Sequence, residues 1–406
     1  MSGGGRLPAA VAILACLGGA PGHALEAAVG QRMFHRAWVP APSSTRADDG
    51  LGPHFDARSC AACHPGLARP RIEIDARGGP LPRGMVVRAA RADGSGDPVY
   101  GRQIQSEAVI GVRPEAEMRL GWNDGPAAAR SPRVVFDALG HGPLAADTRV
   151  SLRLAPPLGG TGAIEDVSEA EIRAEAARQA RETPATAGRI AETIGADGRV
   201  AIGRFGFKAE QPTLAAQTAQ AFATDMGMSS RFAPGPAGDC TAGEGDCVDA
   251  PHGAPDGVGP HEIDEAIIEA IVAWLRSRPV ARPSRPAPPE AAAGAAVFTA
   301  TGCADCHVPR LGGAALHSDL LLHDLGEGLS SGAPSDGRAA REWRTAPLAG
   351  LGRAIEERRP LLHDGRAETA DAAIRRHGGQ ATGARARYLG LTPRDRRALL
   401  DYLSTL

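Results

Sequence analysis

"TGCADCHVPR" at residues 301–310 and "RSCAACHPGL" at residues 58–67 decide the interpretation of this 406-residue chain, because each contains Cys-x-x-Cys-His. The two thiols of such a motif can add across the two vinyl groups of a haem, and the adjacent histidine then reaches the iron. The sequence therefore predicts two covalently bound haem c groups. The predicted attachment residues are Cys60, Cys63, Cys303 and Cys306, and the predicted proximal iron ligands are His64 and His307.

Two other chemistries also use closely spaced cysteines. A zinc site would need two further ligands nearby, and a histidine that directly follows a cysteine is poorly placed to share a tetrahedral centre with it. A thioredoxin-like redox pair would be expected in a βαβ context, which neither copy shows. Haem attachment is the interpretation that fits both copies.

The N-terminus has the pattern of an export signal. A short apolar run, "LPAAVAILACLGGA" (residues 7–20), follows one positive charge, and small residues before Leu25 allow cleavage after Ala24. We therefore expect residues 1–24 to be a signal peptide and the mature protein to be periplasmic. Cys16 offers an alternative, in which the protein is lipid-anchored through this cysteine.

Composition adds little to the choice of function. The formal net charge of -2 gives no indication of nucleic-acid binding, and no other stretch is long and apolar enough to span a membrane. Cys240 and Cys247 stand in the Gly-rich stretch "GDCTAGEGDC" (238–247). In an exported protein this pair is a candidate disulfide, with two free thiols as the alternative.

Helical patterns flank both motifs. Around the second motif, "AAAGAAVFTATGCADCH" (291–307) carries Gly294 and Phe298 one turn apart, and "TPRDRRALLDYLSTL" (392–406) has an apolar stripe. A looser version of the same pair surrounds the first motif, in "GQRMFHRAW" and "HEIDEAIIEAIVAWLRSR" (261–278). The arrangement resembles the cytochrome c fold, in which two such helices cross beside the haem.

A Pro-rich stretch, "PVARPSRPAPPEAAAG" (279–294), divides the chain. We expect a mainly α protein with two cytochrome c-like haem domains, at residues 25–280 and 281–406. Alternating segments such as "RVVFDAL" and "TRVSLRLAPP" predict a small β-containing insertion in the first domain, at about residues 75–205. Its role is either a scaffold that covers the first haem or a surface that binds a partner.

The chain resembles a known group of redox proteins, most strongly around both motifs and from about residue 200 onward. The stretches that carry the resemblance, besides the two motifs, are "GRFGFKAEQPTLAAQTAQAFATDMGM" (203–228), "LLLHDLGEGL" (320–329), "EWRTAPLAGLG" (342–352) and "LLHDGRAETADAAIRRHGG" (361–379). They resemble the di-haem oxidoreductase family of peroxidase-like proteins. That family is similar to the bacterial dihaem cytochrome c peroxidases and to the di-haem enzyme that matures methylamine dehydrogenase.

The resemblance implies a sixth ligand for the second haem. In the peroxidases a His-x-Gly turn is followed fourteen positions later by this ligand, which is Met there and Tyr in the maturation enzyme. Here the turn begins at His363 and the corresponding residue is His377, while no methionine follows Met228. We therefore expect ligation by His307 and His377, with His323 as the alternative and His363 as a turn residue near the haem edge.

The resemblance implies a different environment for the first haem. The peroxidases place a Trp between the haems and a Gln and a Glu over the peroxide-binding face, and the corresponding residues here are Phe207, Gln217 and Asp225. Peroxide reduction needs a group that moves a proton between the two oxygens, and a carboxylate beside an amide can do that. The chain departs from the family in that Phe is harder to oxidise than Trp and Asp225 falls two residues early. We expect an open iron site here, with Met226 as the alternative sixth ligand.

These expectations lead to three functions. In the first, a small electron-donor protein or redox carrier reduces the second haem, and electrons pass to the first, where hydrogen peroxide or another small oxidant is reduced. The alternatives are oxidative modification of a partner protein or small molecule, and electron transfer alone with both haems six-coordinate. The related peroxidases also hold calcium between their domains, and Pro360 matches one backbone position there.

Overall fold

The computed structural model describes residues 21–45, 48–72, 78–123, 130–235, 237–254, 261–335 and 337–406. Cys16 and the apolar run of the predicted export signal lie outside the described residues, and the predicted cleavage position after Ala24 lies within the first helix. No helix in the described ranges is long and apolar enough to cross a membrane.

The secondary structure of the described residues combines helices with short strands. The α-helices are α1 (Pro21–His35), α2 (Cys60–Cys63), α3 (Thr161–Glu165), α4 (Glu169–Glu182), α5 (Leu214–Met226), α6 (Gly245–Val248), α7 (Glu265–Arg276), α8 (Ala291–Ala300), α9 (Leu351–Glu356), α10 (Ala370–Arg375), α11 (Thr382–Leu389) and α12 (Pro393–Leu403). The strands are β1 (Val39–Pro40), β2 (Asp49–Leu51), β3 (His54–Phe55), β4 (Gly79–Pro80), β5 (Met85–Ala90), β6 (Gln103–Ile104), β7 (Glu107–Ala108), β8 (Ala116–Trp122), β9 (Pro132–Leu139), β10 (Arg149–Leu154), β11 (Glu192–Ile194), β12 (Val200–Ile202), β13 (Leu322–Asp324) and β14 (Glu342–Arg344).

Strands are more widely distributed than the sequence predicted. They occur within the expected insertion, but β1 to β3 precede it and the β13–β14 pair follows it. The expected mainly α fold is therefore only partly right, since the described chain is helical with several small sheets. Most of the unexpected strands have two or three residues, too few for an alternating hydrophobic pattern to show in the sequence.

The helices α1 and α7 cross beside the first motif. At Gly30 of α1 a Cβ atom would lie 1.8 Å from the backbone oxygen of Ala270, so a side chain there would keep the two helices apart. Phe34, one turn later, packs against Trp274 with the ring centroids 4.8 Å apart. The glycine lets the backbones approach, and the aromatic pair fills the space beside the crossing.

The same device occurs at the second motif, where α8 crosses α12. A Cβ atom at Gly294 would lie 2.0 Å from the backbone oxygen of Ala398. Phe298 and Tyr402 pack edge to face with their centroids 5.4 Å apart. Each Cys-x-x-Cys-His motif therefore stands next to one glycine-mediated helix crossing, as the spacing of glycine and phenylalanine indicated.

The predicted insertion contains two antiparallel three-stranded sheets, with strand orders β10-β5-β6 and β4-β8-β9. Apolar side chains from both sheets form a separate core. In β5 the exposure alternates between buried and half-buried residues, as expected for a strand with one face against a core. The other face of the β10-β5-β6 sheet contributes to the cavity that joins the two motifs.

Candidate haem-binding site

One large cavity connects the two Cys-x-x-Cys-His motifs. Its volume is about 890 Å³, near the upper end of the roughly 300–1,000 Å³ usual for small-molecule sites. The four motif cysteines and both motif histidines line it. Its walls come from both ends of the described chain and from the insertion, so residues far apart in sequence face the same space.

The first motif forms the short helix α2. Ser59 caps this helix by accepting a hydrogen bond from the backbone N–H of Ala62 at 3.3 Å. His64 follows the helix, and its Nδ1 lies 2.9 Å from the carbonyl oxygen of Pro156. Because a carbonyl can only accept, Nδ1 carries the proton and the lone pair is on Nε2. Burial lowers the pKa of His64 to about 4, which keeps the imidazole neutral and able to bind a metal.

The second motif repeats this arrangement with a different acceptor. His307 Nδ1 lies 3.0 Å from the carbonyl oxygen of His317, which selects the same tautomer. Burial, and then the charge of His377, lower the pKa of His307 to about 4. Gly302 precedes the motif with a φ of 82°, a left-handed conformation that glycine adopts without strain.

These features fit covalently bound haem. Each motif presents two cysteine side chains at the cavity wall and one neutral imidazole with a free Nε2 lone pair. The surrounding wall includes apolar side chains such as Leu158, Ile164 and Leu316, which suit a porphyrin face. Among the described residues, neither motif histidine clusters with its own cysteines, and the group of Cys306, Asp319 and His323 leaves out both Cys303 and His307, so a zinc site would not account for the motif.

His377 follows α10, whose first turn is capped by the Thr369 side chain. Its Nδ1 lies 2.9 Å from the carbonyl oxygen of Ala373, so the free lone pair is again on Nε2. His377 lines the same cavity as His307, and its charge lowers the pKa of that residue, so the two imidazoles are near each other. This geometry leaves the Nε2 atoms of both histidines free to bind iron.

The two other histidines considered for this haem have closer partners. His323 Nε2 donates to Asp319 Oδ2 at 2.8 Å, and its Nδ1 faces Cys306 Sγ at 3.5 Å. The ring of His363 stacks on Trp343 with centroids 4.1 Å apart and an interplanar angle of 12°. Neither histidine is as free to bind iron as the one that follows α10.

An acid–amide–acid group lies beside the first motif. The side-chain amide of Gln103, through Nε2, donates to Asp56 Oδ2 at 2.7 Å and to Asp225 Oδ1 at 2.9 Å. Arg88 Nη1 donates to Gln103 Oε1 at 3.2 Å, which orients this amide. Arg88, Gln103 and Asp225 line the cavity. The group therefore brings two carboxyls, one amide and one guanidinium together at the first motif.

The two carboxyl groups of this site differ from ordinary surface acids. Burial raises the pKa of Asp225. Burial first, and the charge of Asp225 second, raise the pKa of Asp56 to about 7. Near neutral pH Asp56 is close to its pKa, so it can hold or release a proton.

The sequence analysis placed Gln217 and Asp225 together over the peroxide-binding face of the first haem, and this role stays a prediction. Both residues lie on α5 and line the cavity, but no hydrogen bond between their side chains is found in the described part of the chain. Eight residues of helix separate them, a rise of about 12 Å. The amide beside Asp225 is instead that of Gln103 in β6, 122 residues earlier, which no local spacing could have revealed.

Trp343 is a cavity residue that the sequence analysis missed. It stands in β14 opposite His323 of β13. Phe207 meets its ring edge-on at 6.4 Å, while the guanidinium of Arg153 and the amine of Lys208 lie over the ring at 4.6 and 4.3 Å. Phe207, which stands where the family has its bridging Trp, is thus next to a tryptophan. In the sequence, Trp343 was marked only by its place in the stretch "EWRTAPLAGLG".

Three smaller expectations have different outcomes. Met226 lines the cavity but is 2% exposed and packs in an apolar cluster. Cys240 and Cys247 are joined by a disulfide. The carbonyl oxygen of Pro360 accepts a hydrogen bond from Arg69 Nη1 at 3.2 Å. The calcium that the resemblance implies at this carbonyl stays a prediction.

Comparisons with known proteins identify the family. Hydrazine synthase from Kuenenia stuttgartiensis is 21% identical to this chain, with a TM-score of 0.25. The match covers 35% of this chain and 55% of the hydrazine synthase chain, so this chain spans little more than half the length of that protein. The diheme peroxidase BthA from Burkholderia thailandensis E264 is 15% identical over 94% of this chain and 86% of that chain, with a TM-score of 0.39. The search of curated proteins found no match. A family model described as "Di-haem oxidoreductase, putative peroxidase" matches residues 142–406, which is more than half of the sequence, and the chain therefore belongs to the di-haem oxidoreductase family.

Proposed function

We propose that this protein is a periplasmic dihaem c oxidoreductase of peroxidase type, which reduces hydrogen peroxide at the first haem site with electrons relayed by the second. The observation that carries the proposal is the difference between the two ends of the cavity. Both motif histidines are held alike, whereas His377 faces the second motif and the group of Asp56, Gln103 and Asp225 lies beside the first. A small donor protein or redox carrier would supply the electrons.

The two haems would be held by residues from both motifs. Thioether bonds would attach them to the cysteines, and three histidines would bind iron: His64 at the first haem, and His307 with His377 at the second. Bound haem iron supplies the one-electron redox chemistry. Two histidines at the second site leave no position for a substrate, which suits that site to electron transfer.

The first site would handle the protons of the reaction. Reduction of one hydrogen peroxide consumes two protons and two electrons and forms two water molecules. The hydrogen bonds that Asp225 receives from Gln103 and Thr224 both go to Oδ1, which leaves Oδ2 for a peroxide in the cavity. We infer that Asp225 takes a proton from one peroxide oxygen and delivers it to the other, while Asp56 holds a further proton.

Trp343 offers a route for electrons between the two sites. It pairs across the β13–β14 ladder with His323, whose Nδ1 faces Cys306 Sγ of the second motif. Its ring packs under Arg153, in the strand that leads to the carbonyl acceptor of the first motif histidine. An indole is easier to oxidise than a phenyl ring, so Trp343 is better suited to the relay than Phe207.

Spectroscopy and turnover of the holoprotein test the proposal. We expect one low-spin haem, one haem whose spectrum changes with cyanide, and consumption of hydrogen peroxide with a small artificial electron donor. Two low-spin haems that respond to neither cyanide nor peroxide would make the protein an electron carrier and refute the proposal. A cyanide-sensitive haem without peroxide turnover would favour oxidative modification of a partner protein or small molecule.

A further inference from the structure

A second polar cluster lies outside the haem cavity, and the proposed function does not use it. It consists of His54 in β3, His141 between β9 and β10, and Glu244 in the loop that the Cys240–Cys247 disulfide closes. One potential ligand atom from each of the three residues lies within 4.8 Å of the others. None of the three lines the cavity between the motifs.

The ring of His54 is oriented so that the lone pair of Nδ1 points into this cluster. His54 is 3% exposed, and its Nε2 lies 2.8 Å from the carbonyl oxygen of Arg113, so that Nε2 carries the proton. Its Nδ1 then faces Glu244 Oε1 at 3.7 Å and the disulfide sulfur of Cys247 at 3.3 Å. The disulfide sulfur carries no hydrogen to donate to Nδ1. Metal-binding histidines have this arrangement, with one nitrogen held by a backbone carbonyl and the other turned to the metal.

The Glu244 carboxyl is buried; burial raises its pKa, and its side chain hydrogen-bonds to that of Glu115. The residue is 0% exposed; its Oε2 accepts a hydrogen bond from the backbone N–H of Thr241 at 3.0 Å, while Oε1 has no hydrogen-bond partner in the described ranges. The 3.7 Å to His54 is too long for a hydrogen bond. A buried carboxylate oxygen without a partner is costly, and the buried carboxyl of Glu115 adjoins the same group. A cation between these atoms would remove that cost.

We propose that His54, His141 and Glu244 bind one divalent transition-metal ion of the zinc type. Two imidazoles and a carboxylate are donors that zinc accepts, whereas calcium and magnesium prefer oxygen donors alone. Bonds of about 2.0–2.2 Å would bring the three donor atoms to roughly 3.3–3.5 Å of one another, which requires only small side-chain movements from their present separations.

The ion has a structural role. It ties together β3, which leads into the first motif, the β9–β10 connection of the insertion, and the disulfide-closed loop. These segments are far apart in sequence, so one ion joining them reduces their independent motion. The site does not depend on the proposed function, because the chain can bind the ion whether or not it reduces peroxide.

Metal analysis of the purified holoprotein tests this inference. Wild type, Glu244→Gln and His141→Ala are loaded with zinc in buffer without reductant, dialysed and analysed for zinc and iron by mass spectrometry. His252→Ala is the matched control, since His252 is exposed and lies just beyond the disulfide. We expect about one zinc per chain in wild type and control, and a loss of zinc affinity of at least about tenfold in the two cluster variants.

Two results overturn the inference: wild type that retains no zinc, or cluster variants that bind zinc as tightly as wild type. Unchanged haem absorption shows that a variant is folded. Where a variant does not fold, X-ray absorption at the zinc edge of wild type decides the question. Nitrogen and oxygen neighbours at about 2.0–2.2 Å with imidazole scattering support the site, and sulfur neighbours at about 2.3 Å or oxygen alone overturn it.

Discussion

The replacement Asp225→Asn separates the charge at the first site from its hydrogen bonds. Gln103 Nε2 and Thr224 Oγ1 donate to Asp225 Oδ1 at 2.9 and 3.2 Å, and the amide oxygen of asparagine can accept both. The variant keeps these hydrogen bonds but loses the negative charge and the ability to take a proton. Proton transfer by a positioned side chain contributes about 10²–10⁴-fold, so we expect kcat for peroxide to fall by that factor, or about 3–5 kcal/mol in activation free energy.

The same variant changes how stability depends on pH. Burial, and then the charge of Asp225, raise the pKa of Asp56 from 3.8 to about 7. Because this folded-state pKa lies above the unfolded one, Asp56 stabilises the folded protein below about pH 4, and this contribution is lost as the pH rises to about 7. The full displacement corresponds to about 4 kcal/mol. Asp225→Asn removes the part of this pKa rise that the charge of Asp225 causes. The free energy of unfolding of the variant should therefore fall less steeply as the pH rises.

Peroxide turnover with a small electron donor measures the change in kcat. Denaturant unfolding, followed by circular dichroism at acidic and alkaline pH, measures how the free energy of unfolding depends on pH. Asp137→Asn is the control, because Asp137 is an exposed carboxylate paired with Arg119 and should leave both quantities unchanged. A kcat for Asp225→Asn within about twofold of wild type would refute the proton-transfer role. Stability curves that run parallel would refute the interaction between the two carboxyl groups.

Three other replacements test the relay, the second iron site and the fold. Trp343→Phe keeps an aromatic ring but removes the oxidisable indole, so electron transfer between the haems should slow in stopped-flow reduction; an unchanged rate would exclude this route. His377→Met should raise the reduction potential of one haem alone in a potentiometric titration, because His/Met ligation raises the potential; unchanged potentials would contradict its role as ligand. Gly294→Ala places a Cβ atom 2.0 Å from the backbone oxygen of Ala398, so it should lower the free energy of unfolding by about 1–3 kcal/mol. Gly383→Ala is its control: a Cβ atom there would lie 3.5 Å from the nearest neighbouring atom, so this replacement should be neutral or stabilising.

The features that could be predicted from the sequence depend on local spacing. Cys-x-x-Cys-His brings two thiols and an imidazole together within five residues, whatever the rest of the chain does. The crossings at Gly30 and Gly294 follow from a glycine and an aromatic one turn apart on a helix, which is a property of helix geometry. The expected role of His377 as an iron ligand comes from its distance from the turn at His363 in a family pattern, and it stays a prediction.

The remainder of the first site could not be predicted, because strand pairing assembles it. Arg88 and Gln103 are Cα partners across the β5–β6 ladder, and nothing in their local sequence points to the cavity. Asp56 stands four residues before the first motif, but its role depends on an amide that arrives from β6. Trp343 similarly acquires its surroundings from β13 and from Arg153 in β10 of the insertion. Such strands are short, and their partners are chosen by register rather than by composition.

The two copies of the motif differ in what each faces, not in how each is built. In both, a backbone carbonyl accepts a hydrogen bond from Nδ1 of the histidine, so the two motifs would offer iron the same neutral imidazole. In the proposed function, a difference in reactivity would therefore come from the other residues that face each haem. These would be His377 after α10 at the second motif, and at the first the carboxyl groups of Asp56 and Asp225 with the amide of Gln103 in β6. Because those groups take no part in haem attachment, we expect replacement of Asp225 to slow the proposed reaction while both haems stay bound.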